Sequence, residues 1–265
     1  MTYTNPLIDA WANGRQLLGS WCTLPSSLMA EIAGRQGLDY VCVDLQHGMI
    51  DDSSSISMLQ GIAASGSIPI VRSRWNEPAA IMSALDSGAL GIVVPMINNA
   101  KEAIAAIDAC RYPPFGHRSY GPIRARDIMG STNPRELEKV ACILMIETIE
   151  SLENLDEILS VTGLDAIYIG PSDLALSLGF APGSSDPKIA QTIDEIVSAA
   201  RRHKIPVGIQ CGDGDGARFY LEKGFDFITV FSDAGLYAWA AKLQLSLAKK
   251  KPDEDAAKAK QLGNY

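Results

Sequence analysis

Paired cysteine is the first thing this sequence does without. Its five cysteines, Cys22, Cys42, Cys110, Cys142 and Cys211, are widely spaced, odd in number and form no CxxC motif. Cys42 and Cys142 sit inside apolar runs, so the pattern predicts buried free thiols in a reducing compartment rather than a disulfide framework. No apolar run reaches the roughly 18 residues that a membrane span requires. The opening MTYTNPLIDAWANGRQ lacks a basic segment leading into an apolar one, so no signal peptide is expected and the expected location is the cytoplasm. Positive charge is short as well, with 23 Lys and Arg against 31 Asp and Glu and a net charge of −8. That balance argues against a nucleic-acid footprint and against an anionic membrane surface as partner. It suits a protein that handles a small molecule. If that molecule is an anion, it needs a local positive centre, an arginine or a metal.

What the chain does have is apolar substance, 47% hydrophobic against 20% charged over 265 residues. That is enough for one sizeable core. Eight short apolar runs recur along it: LLGSW (17–21), YVCVD (40–44), IPIVR (68–72), GIVVP (91–95), CILMIE (142–147), AIYIG (166–170), PVGIQ (206–210) and FITVF (227–231). Helical patterns fill the gaps. Asn76 is a candidate N-cap for EPAAIMSALDSG, with Gly88 as its stop, and 98–112 is Ala-rich and amphipathic. Segment 186–204 opens on Asp-Pro and ends in basic residues that complement the helix dipole. Eight buried strands alternating with helices predict a (β/α)8 barrel, a TIM-type α/β fold, as a single domain over 1–265. A doubly wound open sheet is the alternative, weakened by the lack of GxGxxG after the first strand. Two segments break the alternation. One is 111–134, long and rich in Pro, Gly and Arg, which reads as a functional loop. The other is a charged tail from about 248.

Active sites of such barrels lie at the C-terminal ends of the strands. There the sequence places Asp44, Gln46 and His47 after the second strand, Arg72 after the third, Glu147 after the fifth, and Ser172 and Asp173 after the sixth. Singly, each has a plain structural explanation: a strand-end polar residue, an ion pair, or, for Asp173, a helix cap. Together they converge on one rim. Glu147 and Asp173, with no His or Cys beside them, form a hard oxygen pair suited to Mg2+ or Mn2+. Arg72 can stabilise a developing oxyanion. His47 can move a proton, with Asp44 as its nearest acidic neighbour in sequence. No lysine stands at a strand end, so Schiff-base chemistry is not expected. The glycine-rich CGDGDGAR (211–218) reads either as a phosphate-cradling loop or as a turn with Asp215 capping the next helix. Arg218 stands where an EF-hand loop needs glycine.

Six stretches, VDLQHG, PIVRSRWNEP, ALDSGALGIVVPMINNAKEA, RYPPFGHRSYGPIRA, IETIESLENLDEI and GLDAIYIGPSDLALSLG, occur in order across about 15–240. Through them the chain resembles the 4-hydroxy-2-oxoheptanedioate and 2-dehydro-3-deoxyglucarate aldolases, metal-dependent class II pyruvate aldolases. The resemblance implies that Glu147 and Asp173 bind the divalent metal, that His47 is the acid/base and that Arg72 stabilises the transition state. It also implies that Asp86 raises the basicity of His47, so Asp86 stands ahead of Asp44 for that role and both are kept. Met145 and Ser172 map to substrate contacts beside the metal ligands, with Arg72 and Asp173 contributing. The implied partners are a 2-oxo acid such as pyruvate and an aldehyde. Family members commonly form hexamers with sites near subunit interfaces, and 111–134 is a candidate to complete a site. Met145 stands where many members have Gln, and Gln46 where many have Glu. Oxaloacetate decarboxylation through the same enolate is a second enzymatic reading, and a catalytically silent metabolite-binding barrel is a third.

Overall fold

The computed structural model describes residues 3–249; the expected tail lies, from residue 250 on, outside them. Eight parallel strands close on themselves in sequence order. They are β1 (Leu17–Cys22), β2 (Tyr40–Asp44), β3 (Ile68–Arg72), β4 (Gly91–Val94), β5 (Ala141–Ile146), β6 (Ala166–Ile169), β7 (Val207–Gln210) and β8 (Phe227–Ser232). The eight runs of the sequence are these strands, and β8 returns to pair with β1. Among the described residues no helix is long and apolar enough to cross a membrane.

The pleat divides each strand between two cores. Val41, Val43 and Val71 face outward into the layer between sheet and helices. Tyr40, Cys42, Ile68 and Ile70 face the barrel interior, where they meet Trp21, Ile143, Met145, Tyr168 and Phe227. Side chains two apart share a face of a strand. Asp44 and Arg72 therefore continue the inward series of β2 and β3, and Glu147 continues that of β5. This is why apolar strands end in charge here: the last inward position of each is the floor of the barrel mouth.

A helix the sequence analysis did not anticipate, Pro6–Ala12, covers the other end of the barrel. Asn5 caps it through Oδ1 and donates from Nδ2 to the carbonyls of Leu90 and Lys139, at 2.7 and 3.0 Å. Trp11 stacks obliquely on Phe227 at 4.9 Å. The helix of segment 186–204 runs Pro187–His203, with Asp186 as N-cap and Lys204 in a left-handed C-cap. That of 98–112 runs Ala100–Cys110, capped by Asn99.

Three local expectations are corrected. Asn76 is not the cap of its helix, which begins at Pro78, a residue preorganised for the first turn; Asn76 instead donates to the carbonyl of Glu102. Asp215 caps nothing: Asp213 takes the cap of Gly214–Glu222 by accepting from the Gly216 amide at 2.8 Å, and Asp215 pairs with Arg218. Segment 111–134 is partly helical, over Ala125–Met129. Gly88 does stop its helix, at φ +101°, a conformation open chiefly to glycine. The five cysteines are free thiols, four of them buried.

Candidate active site

The register of β2 and β3 sets Asp44 directly beside Arg72. Arg72 Nε donates to Asp44 Oδ1 at 2.8 Å and Nη2 donates to Oδ2 at 2.6 Å. Both side chains are almost wholly buried, at 7% and 2% exposure. A two-point grip on a carboxylate fixes the guanidinium plane. It uses Nε and Nη2 and leaves Nη1 without a protein acceptor among the described residues. Asp44 Oδ1 also accepts from the backbone amides of Gln46 and His47, at 3.0 and 3.2 Å. It thereby builds the turn that presents His47, whose side chain is exposed. Asp44 is thus bound to Arg72 and to the turn backbone rather than to the imidazole.

Glu147 emerges from β5 almost fully buried. Its Oε1 accepts from the Met96 amide at 2.8 Å, and its Oε2 is buried with no hydrogen-bond partner among the described residues. Burial is the main force pushing this carboxyl up to about 7; the charge of Asp173 adds to the push, while the Met96 amide and Arg72 oppose it. Met96 holds a left-handed conformation at φ +57° to offer that amide, a costly shape for a residue with a side chain. Asp173 lies in the first turn of the helix Pro171–Ser177, whose N-cap is Gly170. It is not a cap, and among the described residues its carboxylate has no hydrogen-bond or ion-pair partner.

These residues fit a divalent cation. A buried carboxylate oxygen with no partner is costly unless something binds it, and both donors are hard oxygens. Space is kept open as well: a Cβ on Gly170 would lie 2.2 Å from Glu147 Oε2 and 3.0 Å from Met145 Cε. Among the described residues no group of three or more His, Cys, Asp and Glu gathers to enclose a metal. Two carboxylates leave the remaining coordination positions to water and substrate, as Mg2+ and Mn2+ sites commonly do.

The HpcH/HpaI aldolase/citrate lyase family matches residues 17–240. The chain belongs to the HpcH/HpaI aldolase/citrate lyase family. It is 40% identical over 248 residues to a hydroxypyruvate/pyruvate aldolase of Rhizorhabdus wittichii, covering 92% of this chain and 99% of that protein. It is 37% identical over 233 residues to a 4-hydroxy-2-oxo-heptane-1,7-dioate aldolase of Escherichia coli, covering 86% and 89%. Among solved structures, an HpcH/HpaI aldolase/citrate lyase family protein of Burkholderia cenocepacia superposes with a TM-score of 0.85 at 29% identity. That match covers 93% of this chain and all of the other.

Within this HpcH/HpaI barrel, Met145 is buried on the interior floor and Ser172 is exposed one residue before Asp173. Asp86 is elsewhere. It ends the helix Pro78–Asp86, which runs back from the mouth to the start of β4. Its Oδ1 accepts from Arg118 Nη2 at 2.6 Å, and Arg118 is fully buried and stacked on Tyr112. Segment 111–134 lies at that same end, tied down by Arg111 to the carbonyls of Val140 and Gly163. Within one chain, neither Asp86 nor 111–134 reaches His47.

Two further residues support this rim. Trp21 lies under Arg72, with the guanidinium carbon 4.3 Å from the ring centroid. Its place at the end of the first strand carries no role by itself. The left-handed Met96 carries no glycine or asparagine signal.

Proposed function

We propose that this protein is a divalent-metal-dependent aldolase that cleaves or forms 4-hydroxy-2-oxo acids through a pyruvate-type enolate. The observation that carries the reading is the juxtaposition at one rim of a clamped arginine with an unused Nη1 and a buried carboxylate with an unused Oε2. A cation held by Glu147 and Asp173, Mg2+ or Mn2+, would supply Lewis-acid polarisation of the 2-oxo group and neutralise its carboxylate. Arg72, held rigid by Asp44, offers Nη1 to the oxygen on which enolate charge develops. His47, exposed on the turn that Asp44 builds, accepts the proton of the 4-hydroxyl as the C3–C4 bond breaks. The aldehyde leaves, and the enolate is then protonated to pyruvate. In the synthetic direction His47 returns the proton to the new alkoxide. Met145 and Ser172 border the keto-acid position.

Asp86 enters this scheme from a second copy of the chain. It is preorganised by Arg118 at the far end of its own barrel, together with 111–134, and in an oligomer it would partner the His47 of a neighbour. Support for assembly comes from the helix Asp233–Lys249, of which only Asp233 is buried. Leu236, Tyr237, Trp239, Leu243, Leu245 and Leu247 are all exposed along it, an apolar surface of the kind that marks an interface. A homohexamer, as the resemblance implies, and a cytoplasmic location complete the proposal.

The test is pyruvate release from 4-hydroxy-2-oxo acids of varied length, with EDTA and with added Mg2+ or Mn2+. The name of the Rhizorhabdus relative supports including hydroxypyruvate beside pyruvate as the nucleophile in the synthetic assay. Metal-dependent release is the expected result. Consumption of oxaloacetate alone would replace the aldolase reading with decarboxylation.

A further inference from the structure

The interior of the barrel holds a line of aromatic rings leading up to Arg72. Trp11, on the N-terminal helix, meets Phe227 at 4.9 Å. Phe227 meets Tyr168 at 5.6 Å. Tyr168 stacks on Trp21 at 5.4 Å with the planes 27° apart. Trp21 in turn carries the Arg72 guanidinium on its face, 4.3 Å from the centroid. The rings are themselves fixed: the hydroxyls of Tyr168 and Tyr40 both meet Thr229 Oγ1, at 2.7 and 3.0 Å.

We propose that Trp21 is a positioning residue that, with Asp44, holds the Arg72 guanidinium in the orientation that receives the enolate oxygen. The proposal rests on the enolate chemistry set out above. The geometry divides the work between the two neighbours. Asp44 grips one edge of the guanidinium, through Nε and Nη2. An edge contact anchors that edge but still permits the rest of the group to tilt about it as the side-chain torsions change. A flat ring against the face at van der Waals distance blocks that motion, and the attraction between cation and indole quadrupole is strongest where water is excluded. Trp21 is 2% exposed. Its Nε1 has no hydrogen-bond partner among the described residues, so the indole is held at this place by its face and its packing rather than by a polar anchor. With edge and face both occupied, Nη1 is the guanidinium nitrogen left for the substrate, and its direction is set before substrate arrives.

The test uses oxalate, whose planar dianion resembles the pyruvate enolate, and pyruvate itself. Each is titrated calorimetrically into the full chain with Mn2+ present. Trp21→Leu should weaken oxalate roughly tenfold or more while changing pyruvate little. In turnover it should lower kcat about 10- to 100-fold with KM nearly unchanged. Trp21→Phe, which keeps a smaller aromatic face, should recover most of both. In an Arg72→Lys background, Trp21→Leu should cost little more, because a residue acting through Arg72 has lost its object. Equal weakening of oxalate and pyruvate, or full additivity with Arg72→Lys, would overturn the assignment and leave Trp21 as packing. If Trp21→Leu does not fold, Trp21→Met, which fills the space without an aromatic face, takes its place on the same oxalate-to-pyruvate ratio. Failure of the unaltered chain to bind oxalate with Mn2+ would overturn the enolate reading itself, and the assignment with it. Binding by the unaltered chain, followed by equal losses in the variants, sinks only the role of Trp21.

Discussion

Asp44 and Arg72 form one rigid unit, joined by two hydrogen bonds of 2.8 and 2.6 Å across paired positions of neighbouring strands. Lysine can replace the charge of Arg72 but not the two-point grip. Arg72→Lys should therefore fold yet lose about 10²- to 10³-fold in kcat, the scale of a lost oxyanion donor. Asp44→Ala should behave differently. It strands a buried guanidinium and should cost about 3–5 kcal/mol of stability, read as a lowered midpoint in urea. An Arg72→Lys enzyme with unimpaired turnover would remove Arg72 from the chemistry.

Glu147 should make the metal-free protein sensitive to pH. Burial raises its carboxyl to about 7 in the folded chain, whereas an unfolded chain titrates near the usual value of about 4.3. The folded state therefore holds a proton that the unfolded state has released. The resulting stability is fully present below about pH 4.3 and is lost as pH rises through about 7. Thermal midpoints without metal should fall between about pH 5 and about pH 8, and Glu147→Gln should flatten that fall. Mg2+ or Mn2+ should restore the midpoint at the alkaline end for the unaltered chain only. Parallel profiles for the two proteins would mean that Glu147 does not titrate as described.

Asp86 and His47 lie at opposite ends of one barrel, so their partnership can be tested by mixing. His47→Ala and Asp86→Ala chains should each be nearly inactive. Co-refolded as mixed oligomers, they should regain a fraction of wild-type turnover, because some interfaces then combine an intact His47 with an intact Asp86. No recovery, in oligomers shown by mass spectrometry to be mixed, would exclude the shared arrangement.

Gly170 keeps room beside the carboxylate pair. A Cβ there would sit 2.2 Å from Glu147 Oε2, so Gly170→Ala must displace the glutamate. Displacing a ligand by this much should weaken Mn2+ about 10- to 100-fold, as loss of an orienting neighbour does, with little change in the far-ultraviolet spectrum. Unchanged Mn2+ affinity, measured by electron paramagnetic resonance, would take Glu147 out of the metal site.

Much of this arrangement could be read in the sequence because a barrel converts alternation into position. YVCVD and IPIVR are apolar until the last inward residue, and a charge there can only face the mouth. The same logic found Glu147 at the end of CILMIE. It could not find the true neighbour of Asp44. Strand pairing, not sequence distance, brings Arg72 to it, and the three-residue gap to His47 suggested a different partner. Trp21 stands visibly at the end of the first strand, but an indole there shows no role until the cation on its face is seen. The acids of CGDGDGAR compete for one cap, and only the geometry of the turn decides for Asp213. Asp86 stands apart. Nothing about ALDSG says which end of the barrel it occupies, except that a helix following a strand must return to the start of the next.

That return has a consequence for the working protein. On the proposed arrangement each chain carries one half of a proton relay at its mouth and the other half at its base. A solitary barrel with every residue in place would be an idle one. Dilution alone should then silence the enzyme, and specific activity should follow protein concentration along the same curve as assembly.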